Sequence, residues 1–337
     1  MKTTSAVVAF LVAIVAVLLP AQSVQAESTE LRVAGQFGIG YLPFMVMKKH
    51  KLIEKHAAKN GLQDIKVNWL QFGGGSAINE ALISGNLDFA AAGVPVFLAL
   101  WNKTKDRAGV RVAAGLNNIP VFLNTVNPNV RSIKDLTDSD KIALPAVKVS
   151  LQAMVLQMAA SKEWGPDNFA RLDGLTVSMK HPDAMIALLS GKSEITAHFT
   201  APPFMFQELE RPGVRLLLSS ADVLGRHSFN VIYTSLRFRE QNPRLYRAYL
   251  AALDEAMEWI NADKRAATQL YMDVTSTKPD QFALMYKMVT DPRVEFTTVP
   301  NGLMKFAEFM NQVGTLSRKP ASWQELSFPE VAAKAGS

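Results

Sequence analysis

The stretch Gln71–Gly93 reads QFGGGSAINEALISGNLDFAAAG, and Ile186–Pro203 reads IALLSGKSEITAHFTAPP. ALISGNLDF lies over ALLSGKSEI at a constant offset, with Ala81 on Ala187, Leu82 on Leu188, Ser84 on Ser190, Gly85 on Gly191 and Asp88 on Glu194. In both places an apolar helical pattern is halted by Ser-Gly, an acidic residue follows, and a short strand-like run leads to proline. Glycine just past the last periodic residue stops a helix, and proline in a first turn opens the next one. The phrase is brief, and similar units can arise independently. The architectural consequence is the same either way: the chain builds two lobes of similar kind.

Outward from the first copy, Leu31–Gly35, Lys66–Phe72, Phe89–Ala92 and Arg111–Leu116 read as strands. Helices are expected from Pro43 to Lys49, from Ser76 to Ser84 with Ser76 as N-cap, and from Pro95 to Trp101. Around the second copy, Lys141–Pro145, Leu175–Met179, Ile195–Phe199 and Val214–Leu218 read as strands. Leu151–Ser161, Asp183–Ser190 and Pro203–Glu208 read as helices. Strands alternating with helices through short loops predict an α/β fold with parallel sheets flanked by helices. Val121–Val126 and Phe229–Thr234 sit at the two junctions of the middle lobe and suit a pair of crossover strands. The segment after Pro243 is helical, with an amphipathic Pro243–Asn261 and further helices over Ala266–Met272, Pro279–Val289 and Gly302–Val313. The expected division is a first lobe of residues 27–124 plus 228–337 and a second lobe of residues 125–227.

The chain starts with Lys2, an unbroken apolar run Ala6–Leu19, Pro20, and small residues ending Val24-Gln25-Ala26. This is the pattern of an export signal cleaved after Ala26, leaving residues 1–26 outside the fold. The apolar run is short for a membrane span, which needs about 20 residues. The sequence contains no cysteine, which excludes disulfides, thiolate nucleophiles and a lipid-modified cysteine at the cleavage point. The periplasm is therefore the expected location, with no lipid anchor. The full chain carries a formal net charge of +6 in scattered clusters such as Lys48-Lys49-His50-Lys51. That supports a mild field attracting anions and argues against a nucleic-acid partner.

In open α/β sheets, ligands sit beyond the carboxyl ends of strands, over helix N-termini. Five loops occupy such places: Gly35–Tyr41, Gly73–Ser76, Gly93–Pro95, Ala146–Ser150 and His198–Pro202. Helix starts there offer free N–H groups and a partial positive charge, so a small anion needs no arginine. Gly73-Gly74-Gly75-Ser76 lacks the Lys of a phosphate-binding P-loop, and Gly35, Gly38 and Gly40 lack dinucleotide-fingerprint spacing. His198 reads either as a ligand contact or as a core histidine. Asp88 and Glu194 read as caps at strand starts. His50 and His56 are six apart and do not share a helix face for a metal; neither metal nor cofactor is expected.

GQFGIGYLPFMVMKKHKLIEK, LQFGGGSAINEALISGNLDFAAAGVPVFLAL, VRSIKDLTDSDKIALP and ALLSGKSEITAHFTAPPF together resemble the solute-binding proteins of ABC importers. The particular family is the nitrate/sulfonate/taurine type, which also includes binders of thiamine-pyrimidine precursors. The resemblance implies a type II periplasmic-binding-protein fold, with an expected monomer that traps a small molecule between its lobes and presents it to an inner-membrane permease. By family position Gln36, Phe37, Tyr41, Gly74, Gly75, Ser76 and Val94 would line the first lobe. Lys148, Ser150, His198 and Thr200 would line the second. The Trp-Asp-Pro-like turn of many members is Phe199-Thr200-Ala201-Pro202 here, and no arginine stands in a ligand loop. That departs from the usual sulfonate or nitrate clamp, and the aromatic loop residues leave room for an aromatic or heterocyclic acid. A ligand sensor for a receptor is an alternative on the same fold. An enzyme of the thiamine-pyrimidine-synthesis type is a weaker one, since it relies on cysteines absent here.

Overall fold

The computed structural model describes residues 26–337 apart from 106–108. The expected signal segment falls almost wholly outside the described residues. The first lobe is built on one five-stranded sheet: β1 (Glu30–Gly35), β2 (Lys66–Gln71), β3 (Phe89–Gly93), β4 (Arg111–Asn117) and, returning late in the chain, β10 (Asn230–Thr234). Its order is β2-β1-β3-β10-β4. The second lobe holds β5 (Phe122–Thr125), β6 (Ile142–Leu144), β7 (Thr176–Ser178), β8 (Ala197–Thr200) and β9 (Arg215–Ser219). Its order, β7-β6-β8-β5-β9, is the same arrangement repeated. In each sheet four strands run in one direction and one antiparallel strand is inserted among them, β10 between β3 and β4 in the first and β5 between β8 and β9 in the second. The chain crosses between sheets from β4 to β5 and again from β9 to β10, so both inserted strands lie directly at the crossings.

The two copies of the Ser-Gly phrase occupy equivalent places. The helix Gly75–Ile83 precedes β3, and the helix His181–Ser190 precedes β8. The glycines that follow, Gly85 at φ +74° and Gly191 at φ +62°, are both left-handed, a conformation that penalises any residue with a Cβ. A Cβ at either would meet nothing within 4 Å, so glycine is needed there for backbone angle and not for space. The acidic residues diverge. Asp88 accepts from the Arg32 backbone N–H at 2.8 Å and from its guanidinium at 2.7 and 3.0 Å, tying β3 to β1. Glu194 is exposed to solvent.

β3 (FAAAG) is buried along its whole length because helices cover both faces, which is why small residues run without alternation. On one face Phe89 stacks on Tyr249 with ring centroids 3.7 Å apart and meets Phe238 edge-on at 5.3 Å. Tyr249 belongs to the helix Pro243–Ala262, whose apolar stripe Leu245, Tyr249, Leu253 and Ile260 is buried. The helical C-terminal segment thus completes the first lobe. It also reaches the second, where Phe309 meets Phe169 edge-on at 6.4 Å.

The expected helix from Ser76 begins one residue earlier, at Gly75. Gly74 is its N-cap and no side chain caps it. The reason lies in space: Gly75 is packed so closely on Val96 that a Cβ would lie 2.6 Å from its methyls. The helix Leu52–Lys59 was not anticipated, because it starts from Lys51 in a left-handed conformation without a side-chain cap.

Replacing Gly85 or Gly191 by alanine is expected to cost about 1 kcal/mol each, the typical penalty of a left-handed alanine. Urea unfolding of the two single variants checks this. Equal losses are expected, since neither site has a packing contribution to separate them.

Candidate functional site

The carboxyl ends of β1 and β3 in one sheet and of β6 and β8 in the other face each other, and the lobes touch there. The Ile39 backbone N–H donates to the Pro202 carbonyl at 3.1 Å. A Cβ at Gly74 would lie 2.9 Å from the Pro145 carbonyl oxygen, and one at Gly93 would lie 3.1 Å from the Leu151 Cβ. Between these contacts lies a cavity of about 20 Å³, room for roughly one water molecule. Larger depressions lie on the surface. One of them, about 880 Å³, is an open trough between the helices His181–Ser190 and Phe282–Val289, away from the strand tips.

The first lobe contributes Gln36, Phe37, Tyr41, Phe229 and Asn230 to the cavity, with Gly75, Gly93 and Val96. The second contributes Ser150, Leu151, Gln152 and His181, with Pro145. Four helices begin at its wall: Gly75–Ile83, Val94–Thr104, Leu151–Trp164 and His181–Ser190. Three of them have no side-chain cap. In the fourth the Ser150 hydroxyl takes only the Ala153 N–H, at 3.2 Å. Each such terminus favours negative charge by about 0.3–1 kcal/mol. None of the lining residues is Lys, Arg, Asp or Glu; its titratable side chains are Tyr41 and His181. Burial pushes the Tyr41 phenol up, so it stays a neutral donor. Its hydroxyl donates to Asn230 Oδ1 at 3.3 Å, and the fully buried Asn230 Nδ2 has no partner among the described residues. A buried amide N–H₂ without an acceptor costs about 1–3 kcal/mol, which an acceptor placed in the cavity would recover.

Of the residues expected from sequence, Gln36, Phe37, Tyr41, Gly75 and Ser150 line this cavity. Gly74 meets the opposite lobe directly, and Val94 is buried beside the lining residue Gly93. Ser76 and Lys148 are exposed, Lys148 on a left-handed turn at φ +62°. His198 and Thr200 are fully buried in the second sheet and are not among the lining residues. The lining residues that sequence reasoning passed over are chiefly Asn230, Gln152 and His181.

His198 is nonetheless connected to the cavity. Its Nδ1 lies 2.6 Å from Glu208 Oε1, and its Nε2 lies 2.9 Å from His181 Nδ1. The His181 Nε2 then lies 3.4 Å from the Gln152 amide at the cavity wall. At the far end Asn124 Nδ2 donates to Glu208 Oε2 at 2.9 Å. By distance His198 and Glu208 could form an ion pair. Both side chains are fully buried, however, and burial opposes charge on each. It pushes the Glu208 carboxyl up to about 8 and the His198 imidazole down to about 3. Burial and then the neighbouring His198 hold His181 well below its usual range as well. Near neutral pH the neutral pair is the form that the surroundings favour, with a carboxyl O–H donating to an imidazole nitrogen.

Two like sheets, each with one inserted antiparallel strand delivered from the other lobe, and a cavity between their strand tips define the fold of periplasmic binding proteins. The chain belongs to the NMT1-like family, whose model matches residues 24–272. Among solved structures it is similar to the alkanesulfonate-binding protein SsuA of Xanthomonas axonopodis pv. citri bound to MOPS. That match has a TM-score of 0.70 and 18% identity, covering 87% of this chain and 96% of that one. The periplasmic aliphatic sulphonate binding protein SsuA of Escherichia coli matches with a TM-score of 0.65 and 19% identity, covering 92% and 100%. The periplasmic nitrate-binding protein NrtA of Synechocystis PCC 6803 matches with a TM-score of 0.66 and 14% identity, covering 92% and 86%. No curated protein sequence matches the chain.

The buried chain has a signed effect on stability. Unfolded Glu208 loses its proton near 4.5 but folded Glu208 keeps it to about 8, so its contribution is lost as pH rises between those values. The histidines act oppositely: their unfolded forms gain a proton below 6.5 and the buried forms do not, so stability is lost as pH falls below that. Stability from this cluster is expected to peak near pH 6.5, declining toward pH 8 by up to about 1.4 kcal/mol per pH unit. Urea unfolding of the protein and of Glu208→Gln from pH 5 to 9 checks it. The difference between the two should shrink steadily from pH 5 to about pH 8 and level off above that.

Proposed function

We propose that the protein is the periplasmic substrate-binding component of an ABC import system, capturing a small organic anion or heterocycle between its lobes and delivering it to the permease. The observation that carries this reading is the interlobe cavity. It is walled by four helix starts and an unpartnered buried amide, contains no formal charge, and is closed by direct contact of two similar lobes. Such a wall offers donors to an acceptor-rich group and nothing with which to perform acid-base or metal chemistry on it beyond one buried histidine. Among the described residues there is no cluster of three His, Asp or Glu suited to a metal ion.

Any solute larger than a water requires the lobes to part, and the two crossings, over residues 118–121 and 220–229, are where they would turn. Gln36 and Tyr41 also border a surface pocket of about 570 Å³ that includes Phe44, Met45, Trp69, Lys48 and Lys49. A ligand with an acceptor-bearing head in the cavity and an apolar or aromatic body toward Phe44 and Trp69 would use both. The resemblance to sulfonate-binding and nitrate-binding proteins supports the head group. The apolar neighbouring pocket supports the organic body. The protein is proposed to act as a monomer in the periplasm, not as an enzyme.

A thermal-shift screen of alkanesulfonates, taurine, nitrate, aromatic carboxylates and aminopyrimidines tests the reading. A true ligand at a hundred times its Kd adds about 2.7 kcal/mol, which for a chain of this size raises Tm by roughly 4 °C. If no small molecule across these classes raises Tm, the carrier role fails.

A second expectation concerns closure. Gly74 has extended backbone, so a side chain is tolerated there, yet its Cβ would meet only the opposite lobe, at the Pro145 carbonyl. Gly74→Val is expected to hold the lobes apart and weaken ligand binding at least tenfold, about 1.4 kcal/mol, with little change in Tm of the unliganded protein. Small-angle scattering should show a larger radius of gyration, unchanged by ligand.

A further inference from the structure

The chain of contacts from Glu208 through His198 to His181 has two complete hydrogen-bond patterns. With Glu208 ionised, the carboxylate accepts from His198 Nδ1–H, His198 Nε2 accepts from His181 Nδ1–H, and His181 Nε2 presents a lone pair toward the cavity. With Glu208 protonated, its O–H donates to His198 Nδ1, His198 Nε2–H donates to His181 Nδ1, and His181 Nε2–H points toward the cavity as a donor. The distances of 2.6 and 2.9 Å serve both patterns without movement of heavy atoms. Gln152, 3.4 Å away, answers either by turning its amide, whose oxygen and nitrogen exchange roles.

We propose that Glu208, His198 and His181 form a proton wire that makes the cleft a hydrogen-bond donor when loaded, so that an anionic ligand is captured together with one proton. The inference rests on the binding reading above and specifies its ligand: a group that accepts at His181, not one that only donates there. The step balances. A proton from solvent bonds to His181 Nε2, the Nδ1 proton of His181 passes to His198 Nε2, and the Nδ1 proton of His198 passes to Glu208 Oε1. One proton is gained, the buried carboxylate is neutralised, and no imidazolium remains. Unloaded, the wire places a buried negative charge behind the cavity, which repels an anion.

The surroundings leave this titration to Glu208. On the helix of His181 the charged groups are Asp183 and, just ahead of it, Lys180, paired at 3.4 Å and both more than half exposed. Strand β8 brings only His198. The helix Phe204–Leu209 brings Glu208 and the Phe204 ring, 5.8 Å from His181. Beyond that helix Glu210 and Arg211 lie toward solvent. β5 brings the uncharged Asn124, the helix Leu151–Trp164 the uncharged Gln152, with Lys148 exposed on the loop before it. Across the cleft stands Tyr41, held neutral by burial. Burial raises the Glu208 carboxyl to about 8, which places the switch within reach of ordinary conditions.

The wire is read without ligand by long-range nitrogen–proton NMR of the ¹⁵N-histidine-labelled full chain between pH 6 and 9.5, with His181→Gln and His198→Gln for assignment. Both rings are expected to stay neutral and to switch together, at one midpoint, from Nε2–H at low pH to Nδ1–H at high pH. A ring that charges in this range, or tautomers that never change, would overturn the wire. In Glu208→Gln, Asn124 pins the new amide oxygen, so the amide N–H₂ faces His198 and both rings should stay in the Nε2–H form at every pH. The coupling is read with methanesulfonate, whose charge is constant here, by calorimetry in buffers of different ionisation enthalpy. Above the midpoint one proton should be taken up per ligand, with affinity falling about tenfold per pH unit, and Glu208→Gln should abolish both effects. Binding without proton uptake while the tautomers switch would overturn the coupling alone. Failure of methanesulfonate to bind at any pH would overturn the anion assignment of the cleft, whatever the tautomers do.

Discussion

Each sheet of this protein is completed by a strand that arrives from the other lobe. β5 enters between β8 and β9 having just left the first sheet, and β10 enters between β3 and β4 having just left the second. Both are antiparallel to their neighbours, so both begin at the side where the parallel strands end. That single constraint turns the carboxyl ends of the two parallel sets toward one another. It also means that neither sheet is whole without the crossings. The crossings are knitted by buried polar contacts and not by apolar packing alone: Ser228 donates to Asn118 at 3.0 Å, the Val121 N–H donates to Ser220 at 2.9 Å, and Asn117 donates to the Gly40 carbonyl at 2.6 Å. Such directional contacts define where the chain can bend, since they hold the crossing strands while leaving the lobe faces to slide or part.

From this constraint the character of the cleft follows. Strand tips and helix starts are backbone, so a site built from them is made of N–H groups, glycines and small polar side chains. Close approach is possible only where Cβ atoms are missing, and Gly74 and Gly93 are placed against the opposite lobe for that reason. The side chains that do enter, Tyr41, Gln152, Asn230 and His181, are neutral. Removing a formal charge from water is expensive, several kcal/mol per ion even after relaxation. A cavity lined with neutral donors can be enclosed between two lobes without that penalty and can still stabilise an incoming negative group.

The alternation of strands and helices was legible in the sequence because it is written in local signals: glycine stops, proline starts and short apolar runs. The repeated Ser-Gly phrase marked equivalent helix ends, and the two extended runs at the lobe junctions marked the strands that cross. Helix starts without such a signal were lost, as at Lys51, where the backbone turns left-handed with no cap, and at Gly75, where packing on Val96 decided the boundary. The site was legible only where it follows a strand in the chain. Gln36, Phe37, Tyr41, Gly75 and Ser150 sit in loops that topology alone assigns to the cleft. Asn230 lies in a strand and His181 at a helix start whose sequence carries no ligand signature. Glu208, His198 and His181 come from two helices and a strand, and only the folded arrangement of β8 against those helices shows that they form one chain.

His198 shows how a residue can be part of a site's chemistry without lining it. As a residue in a core strand it satisfies the ordinary rule that a buried polar group must find partners. It finds two, one on each ring nitrogen, and these are a carboxyl and a second imidazole. A ring bonded on both nitrogens cannot change its own tautomer without changing both neighbours, so the state of Glu208, deep in the second lobe, is expressed at His181 on the cavity wall. A lone buried histidine would have stayed neutral and inert, and a lone buried carboxylate would have been destabilising. Joined in series and capped by Asn124, they form a polar thread through an apolar lobe. Its cost is kept low because both nitrogens of His198 and both oxygens of Glu208 have partners in either direction, and its free end opens where the two lobes meet.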